Sequence, residues 1–328
     1  MKKVIPGIII STLFVYLSIR GTDFSGVLAD LRKVSVGYLP FFVLLMLLMQ
    51  VLRAWRWGLI LRPLARLAGL PLFAITSVGF LAITALPMRL GEFVRPYLAA
   101  RHSAGTLKMS AALGTIFVER LFDGITILAL LSLTPFFTVL PPWLVKASFI
   151  FLVVNLLLVA GVICAVFRRP QLEGFLKFII RRLPSAWSEP LGRFLQHFLD
   201  GFRIIGDGLR LFQVLFLSIL IWLLEVLAIY FLIVAFHFPL TPVAAVVLLV
   251  ILVIGIAIPT APGFVGNWHY SCVLGLGLYG IAKTEALTFG IIFHFLATIL
   301  TVLLGLAFLP LLKFSFTELW QMAKKPLD

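Results

Sequence analysis

The chain has 328 residues, 62% of them hydrophobic and only 12% charged, with a mean hydropathy of +1.15. A soluble domain is about half apolar and about a quarter charged, and its surface needs polar cover, so this composition excludes a soluble globular protein, a disordered chain and a nucleic-acid-binding domain. The net charge of +14 comes from basic residues clustered between apolar segments, where they mark topology and meet anionic headgroups.

The apolar stretches are continuous rather than alternating, which excludes a β-barrel and leaves a polytopic all-α membrane protein. Residues 1–20 carry Lys2 and Lys3, then an apolar stretch to Ile19 that no small-residue cleavage site follows, so they read as an uncleaved first span. Further apolar segments cover residues 38–61, 70–87, 110–138, 143–167, 211–236, 242–258, 270–282 and 286–312. The loop 168–210 mixes apolar and basic residues at helical spacing and is expected to lie as an amphipathic helix on the cytoplasmic surface. No soluble domain is expected on either side of a single transmembrane domain, residues 1–328.

Counting Lys and Arg sets the topology. If 70–87 and 242–282 each return to the side they enter from, 21 basic residues fall inside and 5 outside. That bias predicts about six full spans plus two hairpin, re-entrant elements, with both termini cytoplasmic in the cytoplasmic membrane. Irregular backbone at membrane depth is tolerated only when buried or lining a cavity, so the hairpin turns are informative.

The first turn lies in ALPMRLGEFVRPYLAAR, residues 85–101, and the second in IPTAPGFVGNWHY, residues 258–270. Pro87 precedes Gly91 and Glu92 at the same spacing as Pro262 precedes Gly266 and Asn267. Such paired broken helices are the pattern of an inverted-topology repeat, here with halves 38–138 and 211–312. Broken helix ends expose N–H groups that suit a phosphate. Arg89, Glu92 and Arg95 are spaced to share a helical face, where the arginines either hold phosphate or pin the turn.

Charges within spans mark either function or structural pairing. Glu119 and Asp123 lie four residues apart and need a cation between them, for which Arg120 or an arginine of the first turn is the expected source. Glu225 has few polar neighbours and reads as a helix–helix hydrogen bond, with proton coupling as the weaker alternative. His269 and His294 lie on neighbouring segments, as packing residues or as a proton-carrying pair. Arg53, Arg56, Arg62 and Arg66, interleaved with Trp55 and Trp57, read as an interfacial patch of snorkelling side chains, with direct recognition of a lipid headgroup as the minority reading. Cys164 and Cys272 read as packing residues. No HExxH, CxxC, P-loop or Gly-x-Ser-x-Gly motif is present, so no metal, cofactor or catalytic centre is expected.

RAWRWGLIL (53–61), the first turn, TIFVERLFDGI (115–125) and PTAPGFVGNWHYSCVLGL (259–276) together resemble the flippase-like integral membrane family. That family shares its fold with the transmembrane domain of lysylphosphatidylglycerol synthases. The resemblance spans about residues 40–310 and matches at Pro87, Arg89, Gly91, Glu92, Arg95, Glu119, Arg120, Asp123, Pro262, Gly263 and Gly266. Phe264 stands where many relatives have glycine, His269 where many have glutamate, and His294 where a basic residue is common. The sequence stops at Asp328, so the resemblance implies the translocase-like half without the soluble aminoacyl-transferase.

The expected function is a transporter, not an enzyme. It would move an anionic phospholipid or a polyprenyl-phosphate-linked precursor between leaflets. The alternative is a non-transporting partner or regulator of a lipid or glycan assembly enzyme, in either case with homo-oligomer or enzyme partners open and no nucleic acid. Candidate substrate-binding residues are Arg89, Glu92, Arg95, Glu119, Arg120, Asp123, Pro262, Gly263, Gly266, Asn267, His269 and His294.

Overall fold

The computed structural model describes residues 5–180, 182, 184–258 and 260–322. Its α-helices, in chain order, are α1 (Ile5–Ile19), α2 (Phe24–Lys33), α3 (Leu39–Leu61), α4 (Gly69–Ala85), α5 (Val94–His102), α6 (Met109–Leu133) and α7 (Pro142–Phe167). They continue with α8 (Arg169–Ile180), α9 (Ser185–Asp200), α10 (Gly208–Ala235), α11 (Pro242–Ala257), α12 (Asn267–Gly277), α13 (Lys283–Phe308) and α14 (Phe316–Met322). No strand occurs among the described residues. Helices satisfy every backbone group within one segment, which the bilayer core demands.

Four helices, α3, α7, α10 and α13, are long and apolar enough to cross a membrane. Helix α6 is comparable at 25 residues but carries Glu119, Arg120 and Asp123. Helix α1, expected as a full span, has 15 residues, about 22 Å at 1.5 Å per residue. It lies along α12: the Phe14 and Tyr270 rings are 5.6 Å apart. Its Ser11 hydroxyl donates to the Val265 carbonyl, and Gly7 sits against the Thr260 backbone.

Helices α3 and α10 form an antiparallel central pair. At one end the Ser35 N–H, just before α3, donates to the Ala235 carbonyl (2.9 Å). Phe41 stacks on Phe231 at 5.5 Å, and further along Arg53 meets Glu225 (2.9 Å) and Arg56 meets Ser218 (2.8 Å). Helix α4 leaves the Arg62 end of α3, passes through a 3-10 turn over Pro87–Phe93, and returns as α5. There Arg101 of α5 donates to the Lys313 carbonyl, beyond α13. Helix α11 starts from the opposite end, where Ser35 and His237 are hydrogen-bonded, and returns through Pro262–Phe264 as α12. The two hairpins therefore enter from opposite ends, and the tip of the second packs against α4.

The element order long, short, turn, short, long occurs twice, as α3–α6 and as α10–α13. Pro87 and Pro262 are 175 residues apart, and the same shift superposes α6 on α13 to within one residue at each end.

The segment 168–210 holds two amphipathic helices, α8 and α9, where one was expected, because Pro184 ends one and caps the next. Helix α9 docks on α6 where Gly114 meets Gly201 and the Phe198 carbonyl. Arg169 joins α8 to α9 by donating to Glu173 and Asp200, each at 2.9 Å, and Arg203 donates to Asp200 at 2.9 Å. Burial pushes the Asp200 carboxyl up, but the Arg169 hydrogen bond and the Arg203 and Arg169 charges outweigh it and hold it below its ordinary range. Helix α2 was not foreseen; Asp23 caps it by accepting the Ser25 N–H at 3.0 Å. Both cysteines are free: Cys272 is buried as expected, whereas Cys164 is exposed.

Candidate functional site

A cavity of about 200 Å³ lies between the two hairpin tips. The first hairpin contributes Ile83, Thr84 and Glu92, and the second contributes Ile256, Phe264 and Trp268. Helix α6 supplies Glu119, Arg120 and Asp123; α3 supplies Arg53 and Arg56; α10 supplies Trp222 and Glu225; α13 supplies His294, Thr298 and Thr301.

The charges form a linked cluster around Arg56 and a separate pair, Arg53 with Glu225. Arg56, 2% exposed, donates to Asp123 Oδ1 (2.6 Å), Glu119 Oε1 (2.9 Å) and the Ser218 hydroxyl (2.8 Å). Glu119 Oε2 accepts from Arg95 at 2.8 Å. Asp123 also accepts from the Trp222 indole (3.0 Å) and from Arg120 (3.3 Å). Arg53 donates to Glu225 at 2.9 Å, so the reading of Glu225 as a helix–helix contact holds. A charge at membrane depth is tolerated when paired in this way.

The cation between Glu119 and Asp123 is thus Arg56 of α3, with Arg95 and Arg120 on the flanks. This corrects the assignment of Arg53, Arg56 and Trp57 to an interfacial patch. Trp57 is buried and its indole donates to Thr115 at 3.1 Å, while Trp55, Arg62 and Arg66 do stay exposed. Met49, Arg53, Arg56 and Ile60 follow at steps of four, three and four, so the sequence shows that they share one helix face. It does not show that this face is the buried one, because apolar residues also fill the exposed faces of α3, Leu44, Leu48, Val51 and Trp55 among them.

Glu92 lies in a 3-10 turn over Pro87–Phe93, whereas Arg95 lies in the α5 helix that follows it. Glu92 lines the cavity, Arg95 points into the protein, and the Arg89 side chain lies outside the described residues. Arg95 is fully buried, its guanidinium 4.3 Å from the Trp57 ring and 5.5 Å from Phe80, with its stem against Gly79, where no side chain blocks it. Gly91 lets the turn lie on the Ala82–Ile83 backbone.

The second tip is stapled by hydrogen bonds. Gly263 and Gly266 take φ of 73° and 95°, which glycine adopts at little cost. Phe264, where the resembled family carries glycine, takes φ of 57°, a strained value for a bulky residue. His294 donates from Nε2 to the Gly263 carbonyl (2.6 Å), and His269 Nδ1 accepts the Gly266 N–H (3.4 Å). The two rings meet edge to face at 4.9 Å. Asn267 donates to the Gly255 carbonyl at 3.0 Å, tying α12 back to α11. Of the predicted residues, the structure brings Glu92, Glu119, Arg120, Asp123 and His294 to the cavity wall. It uses Arg95 behind the wall, and Pro262, Gly263, Gly266, Asn267 and His269 to shape the tip. Arg53, Arg56, Trp222, Phe264 and Trp268 were missed.

Three N–H donors of wall residues are buried without an acceptor: Arg56 Nε, Arg120 Nε and the Trp268 indole. The Arg120 side chain is 39% exposed, and its contact to Asp123 is the longest in the network. A buried donor left unpaired costs about 1–3 kcal/mol, so the wall favours a ligand that supplies acceptors.

A model of the lysylphosphatidylglycerol synthase TM region matches residues 4–305. No curated protein and no solved structure matches the chain. The family match spans nearly all of the sequence, so this multi-pass membrane protein belongs to the lysylphosphatidylglycerol synthase TM region family, whose members are related to lipid handling.

Proposed function

We propose that the protein is a lipid translocase of the cytoplasmic membrane, both termini cytoplasmic, moving a phosphate-bearing lipid between leaflets. The observation that carries this reading is the set of unpaired N–H donors on a cavity wall whose carboxylates are already engaged. A phosphate offers acceptors in the number such a wall needs, and arginine binds it well. Residues 38–138 and 211–312 act as inverted repeats, and the headgroup passes between their tips while the tails stay in lipid. Arg120 is the side chain with spare capacity for the headgroup. Arg56 and Arg95 hold the wall together, since Glu119 and Asp123 occupy them.

The test is lipid scrambling by the purified protein in liposomes, with labelled anionic phospholipids and polyprenyl-phosphate analogues. Arg120→Gln is expected to slow transfer about 10- to 100-fold, the loss of a charged hydrogen bond of about 1.5–3 kcal/mol. Trp268→Phe, which removes the indole N–H and shortens the ring, is expected to slow it several-fold. No movement of any lipid by folded protein, or equal rates in the variants, refutes the reading and favours a non-transporting partner.

A further inference from the structure

A second cavity, of about 500 Å³, is cut into the outer side of the bundle where α3 meets α4, away from the hairpin tips. Its walls are apolar, including Val51, Ala54, Leu72 and Phe73, and its two charged residues are Arg62 and Arg66. No carboxylate lines it, and neither arginine has an ion-pair partner among the described residues. This contrasts with the central cavity, where Arg53 and Arg56 of the same helix are both paired. Gly58 forms the floor: a Cβ there would collide with Leu72, so the missing side chain lets α3 and α4 approach. Val51 is 51% exposed and Trp55 56% exposed along the rim, so the apolar wall opens sideways toward the bilayer.

We propose that this groove is a binding site for an anionic phospholipid, separate from the translocation path and independent of whether the protein transports. Arg62, at the C-cap of α3, and Arg66, in the link between α3 and α4, both line the groove and are placed to hold the headgroup phosphate at the interface. The apolar groove below them takes an acyl chain, and Trp55 sits at headgroup depth, where indoles concentrate. A free phosphate has no use for the apolar wall, and in a zwitterionic lipid the headgroup's own cation opposes the two guanidinium groups at the phosphate. The chemistry on both ends of the groove is that of one acidic lipid.

The experiment is native mass spectrometry of the full chain in detergent, titrated with phosphatidylglycerol or with phosphatidylcholine of the same acyl chains. The wild type is expected to retain one phosphatidylglycerol about 30-fold more tightly than phosphatidylcholine. Arg62→Ala with Arg66→Ala is expected to abolish the preference. Val51→Trp, at an exposed position that folding does not depend on, is expected to weaken both lipids by filling the groove. Equal binding of the two lipids by the wild type overturns the proposal. So does unchanged phosphatidylglycerol binding in Val51→Trp, which stands even if the double variant fails to fold. Displacement of the lipid by millimolar inorganic phosphate also overturns it, by showing a phosphate site with no lipid specificity.

Discussion

Replacing Arg56 by Met tests the central network most directly. The side chain is 2% exposed and donates to Asp123, Glu119 and Ser218. Methionine fills most of the stem's volume, so the change is mainly one of charge. Removing one partner of a buried pair costs about 3–5 kcal/mol, because the other charge is left uncompensated. Here the lower value applies, since Glu119 keeps Arg95 and Asp123 keeps Arg120 and Trp222. At about 2.1 cal/mol/K per residue, a chain of 328 residues loses about 4 °C of melting midpoint for 3 kcal/mol. The assay is thermal unfolding in detergent of Arg56→Met and of Arg56→Met with Asp123→Asn. The double variant is expected to melt above the single one, because the neutral amide that replaces the carboxylate no longer needs a cation. The arginine it releases, Arg120, is partly exposed and can reach water. If the single variant melts like the wild type, or the second change lowers the midpoint further, the network does not work as described.

Two more outcomes follow from local geometry. Gly91→Ala is expected to destabilise by about 1–3 kcal/mol and to push the first tip off α4, because its Cβ would fall on the Ala82–Ile83 backbone. Gly161→Ala, facing open space on α7, is the control and should be neutral or raise the melting midpoint. Asp200 predicts a pH dependence: its folded carboxyl lies below its unfolded value of about 3.9. It therefore contributes stability above about pH 4 that is lost as pH falls through the folded value. The protection of the α8 amides, exchange taken relative to the intrinsic rate at each pH, should stay constant from pH 7 to pH 5 and fall below pH 4. In Asp200→Asn it should be lowered already at neutral pH and show no such step; a wild-type profile in the variant would disprove the link.

Apolar run length determined the membrane class and the long helices α3, α6, α7, α10 and α13, because crossing a bilayer is a demand on each segment alone. The two turns, each with a proline four residues before a glycine, likewise depend only on the local chain, so both hairpins were legible. The short helix α2 was not, since its ten residues carry little apolar signal. The separation of α8 from α9 hung on a single proline. The central site divided in the same way. That Glu119 and Asp123 share a face follows from a four-residue spacing. That Arg56 lies between them does not, because spacing tells which residues share a face and not which helix meets it. Only the antiparallel packing of α3 on α10, against α6, turned Arg53 and Arg56 inward and left Arg62 and Arg66 outside. Four arginines within fourteen residues are alike in sequence; in the fold, carboxylates from other helices reach two of them, and a lipid-facing groove receives the others.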